Sequence, residues 1–269
     1  MSEPVVIVDE RDGILEVVLN RPHKLNAINQ EMADRLFALA LDFRGRDDLR
    51  VMLIRAKGKF FSAGTDLTDV SMPDLEGSSS RARTWYRAGV GSFHSMFDEF
   101  EAIEKPIVVA HHAACLGGAL EMSLSCDFRF AAASARYALP EIQIGVIPGS
   151  GGTSRLTRLV GTHWARWIAM AGRSVDAQRA LMIGLVHEVF PDDEFELQVR
   201  KFCEELAQLP REALSVSKLA IEFAADLDRH QGRNAERFAN SILFLGREHN
   251  DLIARMREKL SANKTPAKA

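Results

Sequence analysis

The stretch IVVAHHAACLGGALEMSLSCDFRFAA, residues 107–132, constrains the chain more than any other. It opens on β-branched residues, breaks at Gly117-Gly118, turns helix-like, and returns to a strand-like run. A strand–turn–helix–strand order with so few charges belongs in an interior, and other layers must cover it. The expected elements are a strand at 107–110, a short helix over about 118–125 and a strand at 128–132. One residue is out of place. Glu121 puts a carboxylate into the apolar run, and burying it ionised is costly unless a partner neutralises it or its pKa moves.

The flanking sequence supplies the covering layers. Residues 4–8 and 14–19 read as a hairpin joined by Arg11-Asp12-Gly13. Asn29 can cap a helix over 30–44 that carries Met32, Leu36, Leu39, Ala40 and Phe43 on one side, and 51–56 is a third strand. The polar loop MPDLEGSSS is expected to be mobile, and a helical pattern over 82–103 follows it, ended by Pro106. Strands and helices alternate, which defines the α/β class. After Asp193 strand signals vanish and consecutive helical patterns follow, with more apolar residues than one face needs. Such a surface finds either a core or another subunit. The expected division is a core over 1–195 and a helical oligomerisation region over 196–269, ending in a disordered SANKTPAKA tail.

Composition narrows the class of function. The 269 residues are 46% hydrophobic with a formal net charge of -3, which gives no electrostatic reason to expect nucleic acid or an anionic membrane. Cys115, Cys126 and Cys203 are an odd number without a CxxC pair, as suits a reducing compartment. The N-terminal residues meet charge too early for a signal peptide, and no apolar run approaches the roughly 18 residues that span a bilayer. A cytoplasmic protein is expected.

Several local patterns carry chemistry. Gly117-Gly118, between a strand and a helix, is either an ordinary tight turn or a place where free N–H groups hold an anion or oxyanion. GKFFSAGTDL, residues 58–67, is a second candidate donor loop, in which Asp66 could cap a following helix. In YALPEIQIGVIPGSGG, Glu141 is a second carboxylate in apolar surroundings. A pair of this kind gives an acid and a base near neutral pH, whereas each alone reads as a solvent-facing side chain. GSGGTSR is not a Walker A loop, since no Gly-Lys-Ser/Thr closes it. Pro148 excludes a nucleophile elbow at Ser150, and Ser154 stands where a dinucleotide fingerprint ends in glycine. No metal site is expected: His111 and His112 are adjacent in or near a strand and face opposite ways, and Pro191 breaks the motif begun by His187-Glu188.

In their order and spacing these pieces resemble the crotonase superfamily, particularly enoyl-CoA hydratases. The resemblance runs from LNRPHKLNAIN through GKFFSAGTDL, EKPIVVAHHAACLGGALEMSLSCDFRFAA and YALPEIQIGVIPGSGGTSRLTRLVG to AGRSVDAQRALMIGLVHEVFP and, more loosely, REALSVSKLAI, covering most of residues 19–221. It implies a spiral of ββα units with a C-terminal helical region that builds homotrimers, often paired into homohexamers. It also implies an acyl-CoA substrate and no separate cofactor, coenzyme A being part of the substrate.

Residue by residue, the resemblance makes the backbone N–H groups of Thr65 and Gly118 the oxyanion donors and Glu121 and Glu141 the catalytic carboxylates. Glu121 would help activate a water, and Glu141 would exchange a proton with that water or the α-carbon. Leu25, Asn26, Ala27, Lys59, Phe61, Ala63, Asp66 and Leu67 become CoA contacts, many of them through the backbone. Trp85, Tyr86, Phe93, Met96 and Phe97 are acyl-pocket candidates, although a Met and aromatic stripe also reads as core. REHNDLIARMREKL departs from the Glu-Gly and Ala-Phe pattern of many family hydratases, and Ala119 stands where some members have a further glycine. The implied reaction is hydration of a 2-enoyl-CoA to a 3-hydroxyacyl-CoA. Double-bond isomerisation, another lyase or hydrolase reaction, and a non-catalytic acyl-CoA- or RNA-binding role are the alternatives.

Overall fold

Asp12 and Gly13, at φ 54° and 77°, make the tight connection on which the first sheet starts. They join β1 (Val6–Arg11) to β2 (Ile14–Leu19), which pair antiparallel with Arg11 opposite Ile14. The computed structural model describes residues 3–69, 78–88 and 93–262. Helix α1 (Gln30–Gly45) begins where the Asn29 side chain accepts from the Met32 N–H, and leads to β3 (Val51–Ala56), parallel to β2. The stretch expected to be helical over 82–103 holds α2 (Ser79–Ala88) and α3 (Phe93–Ala102), and residues 89–92 between them lie outside the described residues. Most of the loop expected to be mobile, and the end of the tail, lie outside the described residues.

The segment built for burial follows. It comprises β4 (Ile107–His111), the two-residue β5 (Cys115–Leu116), α4 (Gly118–Leu124) and β6 (Phe128–Ala132). The chain continues through β7 (Arg136–Ala138), α5 (Gly152–Ala165), β8 (Val175–Asp176), α6 (Ala177–Met182), β9 (Glu188–Phe190) and α7 (Phe195–Ala207). Among the described residues one sheet has the order β1-β2-β3-β4-β6-β9, parallel apart from its opening hairpin, and β5, β7 and β8 form another. Strand β5, which belongs to the second sheet, is the one that delivers Gly117-Gly118.

Central parallel strands are covered on both faces, so β2 is buried along its whole length, Glu16 included. The Glu16 carboxylate is neutralised by ion pairs to Arg55 of β3 and Arg200 of α7. Helix α1 buries the apolar face read from sequence, and α3 adds Met96, Phe97 and Phe100. Helix α7 contributes Phe195, Val199, Cys203 and Leu206. The expected division falls at 195/196, and the first compact unit extends through α7 to Ala207, because this helix uses its apolar face on the sheet.

The second unit, from Gln208, holds α8 (Arg211–Asp226), α9 (Arg229–Leu245) and α10 (Arg247–Ala262). Asp228 and Gln231 form a capping box on α9, and the Glu248 carboxylate accepts from the Arg211 and Glu212 N–H groups at the start of α8. Ile221, Phe238, Ile242 and Leu245 are exposed on this unit. Among the described residues no helix is long and apolar enough to cross a membrane.

Candidate active site

Gly64 has φ +94°, and a Cβ on it would fall 2.7 Å from the Leu116 carbonyl oxygen and 3.2 Å from the Gly118 nitrogen. The 62–66 loop can therefore lie against the turn after β5 only because residue 64 has no side chain. Ser62 stitches the two together: its N–H donates to the Ala114 carbonyl at 3.2 Å, and its carbonyl accepts from the Leu116 N–H at 3.0 Å. A Cβ on Gly118 would in turn sit 2.5 Å from Thr65 Oγ1 and 3.5 Å from the Thr65 nitrogen. The N–H groups of Thr65 and Gly118 are thus neighbours. Among the described residues neither is taken up by a loop, turn or side-chain acceptor.

The carboxylates border this pair of donors. Glu121 lies in the short helix α4 and is 5% exposed. Its Oε1 accepts from the Ser150 N–H at 2.8 Å and the Gly152 N–H at 3.0 Å. Burial pushes its pKa up to about 7, with the Glu141 charge adding to the rise and the two N–H donors and Arg155 opposing it. Glu141 sits in a 3-10 turn, Pro140–Ile144, where burial also raises its pKa. One of its oxygens, Oε2, is buried without a hydrogen-bond partner among the described residues. The other lies 2.9 Å from where a Cβ of Gly117 would be. The adjacent glycines therefore serve two neighbours: Gly117 makes room for Glu141, and Gly118 for Thr65.

The CoA candidates divide by exposure. Leu25, Lys59 and Leu67 are exposed, and Ala27 and Ala63 are half-buried. The other three side chains face inward. Asn26 is fully buried at φ 52°, its Oδ1 accepting from the Arg21 N–H while its Nδ2 donates to the Lys57 and Phe60 carbonyls. Phe61 is buried edge-on to His111. Asp66 pairs with Arg21 at 3.0 Å, and its Oδ1 accepts from the Thr68 N–H and hydroxyl; residues 70–77, into which a helix capped by Asp66 would run, lie outside the described residues. Contacts from these three to a ligand would come from main-chain atoms. Asn26→Ala should lower stability by about 2–4 kcal/mol, because it orphans buried groups and leaves a strained φ, and urea unfolding measures it.

The acyl-pocket candidates divide likewise. Met96 and Phe97 are buried core residues of α3, and Phe93 packs partly against the core. Tyr86 is half exposed and its ring edge meets the site of a Gly149 Cβ at 3.6 Å, beside the loop that holds Glu121. The Trp85 side chain lies outside the described residues. Sequence reasoning missed the 150–152 loop as the cradle of Glu121. The glycine-rich GSGG was its only signal, since the donors are main-chain groups. Gly152 lies so close that a Cβ there would be 2.7 Å from Glu121 Oε1.

The comparisons with known proteins agree in breadth. The enoyl-CoA hydratase/isomerase family profile matches residues 9–261. A 2,3-dehydroadipyl-CoA hydratase of Escherichia coli is 32% identical over 268 residues, covering 96% of this chain and 97% of that one. A probable enoyl-CoA hydratase of Mycobacterium tuberculosis is 31% identical, with 93% of each chain covered. The crystal structure of an enoyl-CoA hydratase from Bacillus anthracis superposes with a TM-score of 0.85 at 28% identity, over 95% of this chain and 96% of that one. Mixed α/β layers followed by a C-terminal set of helices are the crotonase fold, and this chain belongs to the enoyl-CoA hydratase/isomerase family.

Proposed function

We infer that the protein is an enoyl-CoA hydratase, adding water reversibly to a 2-enoyl-CoA to give a 3-hydroxyacyl-CoA. The observation that carries this reading is the grouping of two desolvated carboxylates with two unused backbone donors. The Thr65 and Gly118 N–H groups would receive the thioester oxygen as negative charge builds on it. A water would lie between Glu121 and the Oε2 of Glu141, which has no hydrogen-bond partner among the described residues. Glu121 takes a proton as the water oxygen bonds to the β-carbon, and protonated Glu141 delivers a proton to the α-carbon. The product thus gains one OH and one H. Burial raises the pKa of both carboxyls, so near neutral pH the pair can hold a proton to deliver as well as a carboxylate to receive one. The two titrate as a coupled pair.

No separate cofactor is needed in this scheme, because the thioester itself delocalises the charge. Exposed apolar residues on α8 and α9 suit self-association as a homotrimer or homohexamer, and three buried cysteines outside any disulfide suit the reducing cytoplasm. Double-bond isomerisation needs one carboxylate, so the presence of two favours hydration.

The test is loss of enoyl-thioester absorbance when the purified protein meets crotonyl-CoA, with identification of 3-hydroxybutyryl-CoA as product. No turnover of crotonyl-CoA or of longer, branched and aromatic 2-enoyl-CoAs would overturn the hydratase reading. Glu141→Gln should reduce hydration by about a hundredfold or more with the fold retained. Near-normal turnover in that variant would remove Glu141 from the chemistry.

A further inference from the structure

The loop that cradles Glu121 is itself gripped from behind. Arg155, in the first turns of α5, donates from Nη1 to the Ser150 carbonyl at 3.1 Å. The same guanidinium is braced on α3: Nε and Nη2 reach Glu101 Oε2 at 3.1 and 2.6 Å, and Nη2 reaches Asp98 Oδ1 at 2.8 Å. Its side chain is only 11% exposed. Gly151, at φ +90°, provides the seat, because a Cβ there would stand 1.9 Å from Arg155 Nη1. Residues 150–152 thus point two N–H groups at Glu121 and offer one carbonyl to Arg155.

We propose that Arg155 is a positioning residue for the reaction, holding the 150–152 loop so that its Ser150 and Gly152 N–H groups fix the orientation of the Glu121 carboxylate. The proposal rests on the hydratase reading, in which Glu121 acts on water. A planar guanidinium suits this task because its fork engages three acceptors in fixed directions, which an ammonium does not. Mis-aiming a reacting group by about 1 Å costs up to about a hundredfold in rate. Arg155 also favours the ionised form of Glu121, against burial and the Glu141 charge. Beyond Arg155 lie Asp98, Glu101 and the half-buried His94 of α3, whose pKa burial depresses.

The experiment compares Arg155→Gln and Arg155→Lys with the wild type. Arg155→Gln should lower kcat about 10- to 100-fold while leaving KM within about threefold. The acidic limb of its pH–rate profile should move to higher pH, because loss of the cation makes Glu121 harder to ionise. Arg155→Lys retains charge without the fork, so its limb should stay near that of the wild type while kcat remains several-fold low. A fold-only role would reduce activity in step with folded fraction and leave the limb unmoved. That result, or wild-type kcat in both variants, overturns the proposal.

Infrared titration of the Glu121 carboxyl, taken as a difference against Glu121→Gln, requires no turnover. Its midpoint should rise in Arg155→Gln, on the order of half a pH unit. An unmoved midpoint also overturns the proposal. If Glu121→Gln proved fully active, the hydratase assignment of Glu121 would fall. If it were inactive while Arg155→Gln behaved as wild type, only the positioning role would fall.

Discussion

Glu121→Gln should lose at least about a hundredfold in hydration rate and yet unfold at a higher temperature than the wild type at pH 8. The amide is nearly isosteric, and its oxygen can still accept from the Ser150 and Gly152 N–H groups, so the cradle survives. What disappears is a buried negative charge. The folded-state pKa of Glu121 is raised from an ordinary 4.5 to about 7, chiefly by burial. Between those values the folded protein binds more protons than the unfolded chain, so stability falls as pH rises through that window. Above about pH 7 the penalty is fully present, on the order of 3 kcal/mol. The stability gap between variant and wild type should therefore be large at pH 8 and shrink towards pH 5. Thermal unfolding at the two pH values measures it. An equal gap at both would mean that the carboxylate is not desolvated.

The second large effect concerns a main-chain group. Gly118→Pro removes a donor N–H at the first position of a helix, where proline is otherwise tolerated. Its ring would meet Thr65 Oγ1, since even a Cβ comes within 2.5 Å of it. The comparison is therefore made in a Thr65→Ala background, which clears the hydroxyl and retains the Thr65 N–H. Relative to Thr65→Ala alone, the double variant should lose about 10²- to 10³-fold in kcat, the usual consequence of removing one oxyanion donor. Circular dichroism and unfolding establish that the double variant is folded. Full activity in a folded double variant would exclude Gly118 as a donor.

The parts legible in the sequence are those in which side-chain type and spacing carry the signal. The apolar face of α1, its Asn29 cap, the Asp12-Gly13 turn and the anomaly of Glu121 all belong to this class. Boundaries were less legible: α7 looks like the helices after it while packing with the sheet before it. For the CoA candidates many contacts are expected through the backbone; the structure adds that the Asn26, Phe61 and Asp66 side chains hold the loop's own architecture. The cradle of Glu121 was illegible because an N–H has no letter in the sequence.

That property of the main chain bears on how this scaffold can change. Gly64, Gly117, Gly118 and Gly152 face neighbours so closely that any side chain at these positions would collide with the site. Beside the two carboxylates, the polar groups here are the N–H groups of Thr65, Gly118, Ser150 and Gly152, which no point substitution can exchange for another kind, proline apart. Mutational exploration is thereby directed away from the electrostatic centre and towards its surroundings. The half-exposed Tyr86 beside Gly149 is such a place: under the hydratase reading, a new residue there would reshape what is accommodated and leave the main-chain donors as they are.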